Sequence, residues 1–294
     1  MRTVYLGTSA FAAGVLERVA QTEHRPVLVV TRPDRPAGRG RRLTAPPVAE
    51  LAGRLGIELD QPEDVNGADA RARIAAAEPE VVVVCAFGAI LREPLLSEFP
   101  LLNVHPSLLP RWRGAAPIER AIMAGDTKTG VSIMRVTAGL DSGPVCLEES
   151  EPIRPQDTYG TLAERLQRVG GELLVRALDE SPPCAGQDDA RATYADKITA
   201  ADRALDATRP AVELERIVRA LTPHIGAYVT LPDGTPLGVR ESRVEPPLDL
   251  EPGPLSFDGA LPALATVDGT LELVVVQPPG KRQMPGGDYL RGRR

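Results

Sequence analysis

Three polar residues in two short stretches carry the chemistry this sequence offers. Asn103 and His105 lie in residues 101–118, LLNVHPSLLPRWRGAAPI, and Asp141 lies in residues 138–145, AGLDSGPV. The apolar pair Leu101 and Leu102 reads as a strand that runs into Asn103, His105 and Ser107, with Pro106 and Pro110 stopping regular structure. Asn and His are donors suited to a carbonyl whose oxygen becomes negative, and His exchanges a proton near neutral pH. Asp141, on a turn flanked by Gly139 and Gly143, supplies a carboxylate. Together the three suit acyl transfer to an amine. Each also has a plainer reading: His105 as a hydrogen-bonded structural residue and Asp141 as a solvated turn residue. Against that, the end of a hydrophobic strand before a Pro-bounded loop is where open α/β sheets place their ligands.

The run Asn103-Val-His105-Pro-Ser107-Leu-Leu-Pro110, taken with Asp141, resembles the signature of the folate-dependent formyltransferases. Three further stretches resemble the branch of that family acting on methionyl initiator tRNA: Arg111-Trp-Arg113-Gly-Ala-Ala-Pro117-Ile, the arginine-rich loop near residue 32, and Gln277-Pro-Pro-Gly-Lys281-Arg-Gln-Met. The matches run from the first strand to the last residues. The resemblance implies transfer of the formyl group on N10 of 10-formyltetrahydrofolate, a consumed co-substrate, to the α-amine of methionine on initiator tRNA. Asn103 and His105 would stabilise the tetrahedral oxyanion, while Asp141 would couple to His105 and take up the amine proton. Phe87, Gly88, Ile90 and Leu91 would hold the pterin, with Ser107, Leu108, Leu109, Pro110 and Gly139 beside the folate. Arg35, Arg39, Arg41 and Arg42 would meet the acceptor arm of the tRNA, and Lys281 and Arg282 would add RNA contacts. Two departures stand out: the turn Leu140-Asp141-Ser142-Gly143-Pro144 replaces a usual Leu-Asp-Thr-Gly-Asp, and Ala207 follows Asp206 where an aromatic is common.

Bulk properties bound the rest. A chain of 294 residues with 43% hydrophobic content fits one large or two ordinary domains, with aliphatic side chains filling a core in which aromatics are scarce. The net charge of -6 excludes a generally basic nucleic-acid binder, so any RNA contact must be a local patch. The three cysteines, Cys85, Cys146 and Cys184, have neither metal-ligand nor CxxC spacing, which predicts a reducing compartment and no disulfide framework. No apolar run approaches the roughly 18 residues of a membrane span, and the N-terminus enters a strand without a charged-then-apolar leader. A cytoplasmic monomer that uses no metal and touches no membrane is expected.

The elements that must position the three residues follow from hydrophobic period. Thr3 to Leu6, Val27 to Val30 and Glu80 to Cys85 read as buried strands; Phe11, Val15, Leu16 and Val19 recur at helical spacing, and helices fit at 46–55 and 67–77. Apolar strands alternating with amphipathic helices predict a Rossmann-like, mostly parallel sheet covered on both faces. Gly7 opens no GxGxxG pattern, so a nicotinamide oxidoreductase on the same sheet lacks its phosphate loop. The loop after the second strand carries Arg32, Arg35, Arg39, Arg41 and Arg42, far more residues than a usual connection of about 2 to 6. It reads as a positive arm at the edge where Asn103 and His105 lie. Strands over 130–136 and 145–153 flank the Asp141 turn, and a helix follows over 157–178.

Pro182-Pro183 ends that helix. Beyond it the pattern becomes polar and aperiodic, then changes to one helix over 210–221 and short strands near 226–231, 237–244, 261–267 and 271–276. The expected division is a catalytic domain over 1–181, a linker over 182–202 and an OB-like tRNA-binding β-barrel over 203–294. From residue 200 onward there are 11 Lys and Arg against 13 acids, so RNA binding there depends on clustering, for instance of Lys281 with Arg282 or in the tail Arg291, Arg293 and Arg294. Alternatives are a formyltransferase acting on a small amine and a non-catalytic tRNA-binding module. The first leaves the arginine loop and the barrel unexplained; the second leaves the intact Asn103, His105 and Asp141 unexplained.

Overall fold

The computed structural model describes residues 1–37, 42–247, 251–253 and 255–292. It divides into two compact units: Met1–Gly114, Lys128–Pro152 and Ala163–Tyr194 form the first, and Ala115–Thr127, Ile153–Leu162 and Ala195–Arg294 the second.

In chain order the first stretch runs β1 (Thr3–Gly7), α1 (Ala10–Val19), β2 (Leu28–Val30), β3 (Arg35–Ala37), β4 (Arg42–Thr44), α2 (Pro47–Leu55), β5 (Glu58–Asp60), α3 (Ala68–Ala76) and β6 (Val81–Cys85). It continues with α4 (Leu95–Glu98), β7 (Leu101–His105), β8 (Arg113–Gly114), α5 (Pro117–Ala124), β9 (Lys128–Arg135), β10 (Val145–Pro152) and α6 (Tyr159–Glu180). Seven strands pair in the order β10-β9-β7-β6-β1-β2-β5. From β7 to β5 every pairing is parallel, whereas β9 runs antiparallel to β7 and β10 to β9. The strand order departs from β1 in both directions, and such a reversal opens a crevice beyond the carboxyl ends of the strands.

The apolar reading of β1 and β6 has its cause here, since every residue of both strands is buried. Val4, Leu6, Val30, Val82 and Val84 share one core cluster with Ile74 of α3 and Leu95 of α4. Each such side chain contributes about 1.5–3 kcal/mol relative to exposure. Helix α1 buries Phe11, Val15, Leu16 and Val19, and Ser9 caps it by accepting the Ala12 N–H at 3.3 Å. The short strand β5, absent from the sequence reading, is added to β2 in register Val29 with Leu59; three half-polar residues carry too little pattern to announce a strand.

The second unit contains α5, α7 (Ala200–Arg203), α8 (Ala211–Leu221), β12 (Ala227–Thr230), β13 (Pro236–Glu245), β14 (Leu255–Ser256), β15 (Ala263–Ala265), β16 (Thr270–Gln277), β17 (Met284–Pro285) and α9 (Gly286–Arg291), after β11 (Tyr194–Ala195) at its border. Where the sequence reading expects an OB-like barrel, the described strands pair antiparallel in the order β12-β13-β16-β15-β14, with β17 also on β16. Leu214, Ile217, Val218 and Leu221 of α8 pack with Leu237 and Val239 of β13 and Leu271, Leu273 and Val276 of β16 in a single core. In α7, Thr199 and Asp202 form a capping box, and Arg120 of α5 pairs with Asp202 at 2.7 Å. That guanidinium lowers the Asp202 carboxyl to about 2.

The expectation of no disulfide is corrected. Cys146 and Cys184 are bonded, leaving Cys85 as the free thiol. Val145 and Ala185 exchange both backbone hydrogen bonds at 2.8 Å, so the cysteines flank an antiparallel bridge that a separation of 38 residues conceals in the sequence. Cys85 itself is fully buried, and burial pushes its thiol up to about 12.

Candidate active site

The strand that carries Asn103 and His105 is longer than its apolar start suggests. Strand β7 runs through His105 because neighbours hold it on both sides: Asn103 pairs with Val84 of β6 and Met134 of β9, and His105 pairs with Ser132. Two residues apart in one strand, their side chains share a face of the sheet. Pro106 then ends the ladder. The Asp141 turn joins β9 to β10, and Asp141 takes φ 45, a left-handed conformation that Asp tolerates better than most residues.

These placements bring the three residues together. Asn103 Nδ2 lies 3.4 Å from Asp141 Oδ1, and His105 Nδ1 lies 3.6 Å from Asp141 Oδ2. The backbone N–H of Gly114 donates to Asp141 Oδ2 at 2.8 Å. The other ring nitrogen of His105, Nε2, is 2.9 Å from the carbonyl of Trp112. A carbonyl only accepts, so Nε2 must carry a proton. It follows that Nδ1, on the Asp141 side, bears a proton only when the ring is the imidazolium. His105 is 4% exposed and the Asp141 side chain 18%, so the ring and the carboxylate meet in a sheltered but open-sided place.

Sequence reasoning missed the residues that hold this arrangement. Gln187 Nε2 donates to the carbonyls of Asp141 at 2.8 Å and Gly143 at 2.7 Å. Its Oε1 accepts from Arg113 Nε at 3.0 Å and Nη2 at 2.8 Å. Arg113 is buried, and its charge is met by Asp189 at 2.7 Å. Thr193 accepts the Trp112 N–H on its hydroxyl and the Arg113 N–H on its carbonyl, both at 2.9 Å. Residues 187–193 thus brace the Asp141 turn and the Trp112–Gly114 segment at once. Their stretch is polar and without period, and no signal in it distinguishes a brace from a spacer.

The expected folate residues divide. Phe87 is buried and Ile90 is 72% exposed, and both line a recess of about 230 Å³ with Arg32, Val65 and Asn66; none of Asn103, His105 and Asp141 lines it. At Gly88, φ is 78 and a side chain would meet nothing within 4 Å, so the turn after β6 offers bare backbone to an open space. Leu91, partly buried, packs against the sheet core. In the Ser107–Pro110 turn, Ser107 donates to the Arg111 carbonyl at 2.6 Å and is fully buried, as is most of Leu109; Leu108 and Pro110 are half-buried. Gly139 is exposed on the Asp141 turn. The strands that deliver these turns, β6 and β7, are parallel neighbours, so both turns leave the same sheet edge.

Of the arginine arm, Arg35 and Arg42 stand on β3 and β4, which pair as a hairpin, and Arg35 is held by Glu63 at 2.9 Å. Arg42 is exposed. Arg39 and Arg41 lie outside the described residues, as do Arg293 and Arg294 of the tail. Lys281 and Arg282 are exposed in the second unit. Among the described residues, one group gathers metal-ligating atoms, Glu23, His24 and Asp179. There the His24 ring is already engaged, by the N-terminal amine at 2.8 Å and by Asp179 at 2.7 Å.

Known proteins match this chain over both units. The family model described as formyl transferase matches residues 1–178, and that described as formyl transferase, C-terminal domain, matches residues 197–294. The chain belongs to the formyl transferase family. Among formyl transferase relatives, the methionyl-tRNA formyltransferase of Roseiflexus sp. (strain RS-1) is 44% identical over 303 residues, covering 100% of this chain and 93% of that one. The solved methionyl-tRNA formyltransferase of Clostridium thermocellum shares the fold at a TM-score of 0.62 and 14% identity, over 83% of this chain and 93% of its own. HypX from Aquifex aeolicus, solved in complex with tetrahydrofolic acid, shares it at a TM-score of 0.66 and 17% identity. That match covers 99% of this chain and 47% of HypX, so this formyl transferase spans about half of that longer protein. No described helix is long and apolar enough to cross a membrane.

Proposed function

We propose that this formyl transferase moves the formyl group of 10-formyltetrahydrofolate onto the α-amine of methionine esterified to initiator tRNA. The observation that carries the reading is the meeting of Asn103, His105 and Asp141 at one sheet edge, in a chain 44% identical over its whole length to a relative named for that activity. The neutral amine attacks the formyl carbon, forming a C–N bond while the carbonyl π pair moves onto oxygen. Asn103 Nδ2 and, in its imidazolium form, His105 Nδ1 donate to that oxyanion. Asp141 takes the proton the amine sheds, with Gly114 N–H holding its second oxygen in place. Collapse restores the carbonyl and breaks the bond to N10, which leaves with the electron pair and takes a proton.

The turn after β6 suits the pterin, since bare backbone at Gly88 can pair with the donors and acceptors along a flat heterocycle's edge. Ser107, Leu108, Leu109, Pro110 and Gly139 border the folate in this scheme. The hairpin carrying Arg35 and Arg42, with Arg39 and Arg41 between them in sequence, meets the acceptor arm, and Lys281 and Arg282 add RNA contacts. In this reading residues 1–181 form the catalytic domain, 182–202 a linker and 203–294 a tRNA-binding domain. The protein works as a cytoplasmic monomer, without a metal. Formyl transfer to methionyl initiator tRNA, measured beside elongator methionyl-tRNA and free methionine with Asn103→Ala as control, tests the reading. Formylation of the initiator alone, lost in the control, is expected; folate turnover with only a small amine or water would overturn the tRNA assignment.

A further inference from the structure

Twelve arginines among the described residues pair with a carboxylate. On β13, Arg243 pairs with Glu245 and Glu272, both at 2.6 Å. Three residues earlier on the same strand Arg240 does not. Its Nε and Nη2 both donate to the amide oxygen of Gln277, at 3.1 and 2.7 Å. Nearby, Arg203 donates Nε to the Gly226 carbonyl at 3.0 Å and lies 5.9 Å from the Tyr228 ring centroid. Among the described residues neither guanidinium has a carboxylate within ion-pair distance, so two positive charges share one surface recess with only neutral partners.

The recess is about 590 Å³, and Arg203, Gly226, Tyr228, Gly238, Arg240 and the Gln277–Gly280 turn line it. Gly226 takes φ 80, and a side chain there would lie 2.0 Å from Arg240 Nη1, so the guanidinium rests directly on glycine backbone. Gln277, which orients Arg240 through its oxygen, donates Nε2 to the Lys281 carbonyl at 3.1 Å. The recess is therefore continuous with the turn bearing the exposed Lys281 and Arg282. Burial and the neighbouring Arg203 charge both lower the Arg240 pKa. Two like charges held together this way are relieved by an anion between them, and paired guanidinium forks match the oxygens of a phosphate.

We propose that Arg203 and Arg240 form a phosphate site that holds one phosphodiester of an RNA backbone, with Tyr228 at its wall. The proposal rests on the RNA substrate proposed above and gives the second unit, acidic overall, the local positive patch its RNA contact needs. The test is direct binding of initiator tRNA by the full chain across a salt series, measured separately from turnover, for the wild type, Arg203→Gln/Arg240→Gln and Thr230→Glu. Thr230 is an exposed lining residue, so its substitution leaves both arginines and the core in place and brings a competing carboxylate. The double variant should bind about 10-fold more weakly at moderate salt, with a log–log salt slope smaller by about 1, and Thr230→Glu should weaken binding in the same direction. Unchanged affinity and slope in both variants would overturn the site, as would a wild type that binds no RNA. A wild type that binds RNA through this slope change yet formylates none would leave the site standing and remove the catalytic reading instead.

Discussion

Gly114 and Asp141, 27 residues apart, are joined by a backbone N–H donated to Oδ2 at 2.8 Å, which leaves Oδ1 turned to Asn103 at 3.4 Å. The carboxylate is thus oriented by backbone, and its two oxygens have different tasks. Asp141→Asn keeps the left-handed φ, because Asn tolerates it as Asp does. Its amide must still accept from Gly114, which turns its NH₂ onto the NH₂ of Asn103. Formyl transfer should fall by about 10²- to 10⁴-fold with folate binding retained, as read by fluorescence titration. Full activity would remove Asp141 from proton transfer.

Gln187 is a positioning residue. Gln187→Leu strands the Asp141 and Gly143 carbonyls and removes the partner of both Arg113 donors. A stability loss of about 1–3 kcal/mol is expected from the buried groups left unpaired. Turnover should drop about 10-fold, since roughly 1.4 kcal/mol of misplacement suffices for that. Gln187→Glu should rescue neither, because a carboxylate cannot donate to the two carbonyls. Chemical denaturation beside single-turnover rates separates the two effects; a stability loss with unchanged rate would make Gln187 structural only.

Arg42 stands exposed on β4 with no acid to neutralise it among the described residues. Arg42→Ala should raise KM for tRNA several-fold and flatten its salt dependence, since a phosphate contact releases about one counterion. Identical salt profiles would take the hairpin out of RNA binding.

Asp202 titrates at about 2 in the folded protein, held down first by the Arg120 hydrogen bond. A depressed carboxyl favours folding above its unfolded value near 3.8, and that contribution is lost as pH falls through about 2. Between those values the wild type should therefore lose stability with acid more steeply than Asp202→Asn. NMR titration of the carboxyl carbon checks the value, and a midpoint near 4 would deny the pairing.

Cysteine reactivity should divide by burial. The native, oxidised protein should present no thiol to alkylation at neutral pH, because Cys85 is buried and pushed up to about 12, while Cys146 and Cys184 are bonded. Denaturation without reductant should expose Cys85 alone. Closing a loop of this kind stabilises by about 2–4 kcal/mol, so reduction should lower the melting temperature. Equal melting with and without reductant would show that the bond is not formed in solution.

The sequence by itself determined the layered sheet and the β-domain that follows it. Residues such as Val4, Leu6, Val82 and Val84 are apolar because both faces of their strands are covered, and that burial writes a one-dimensional pattern. It also placed Asn103 and His105 together, since two residues along a strand is a spacing that needs no fold to be read. Tertiary structure decided how Asp141, already named by the resemblance, and the remaining groups come to meet them. Asp141 reaches the pair because β9 lies beside β7, and Gln187, Thr193, the Cys146–Cys184 bond and the Arg203–Arg240 pair arise where loops from distant parts of the chain converge. Such groups recur with no period, and their partners lie tens of residues away. A polar side chain in a loop shows its chemistry in the sequence but not its neighbour, because the order of the strands chooses the neighbour.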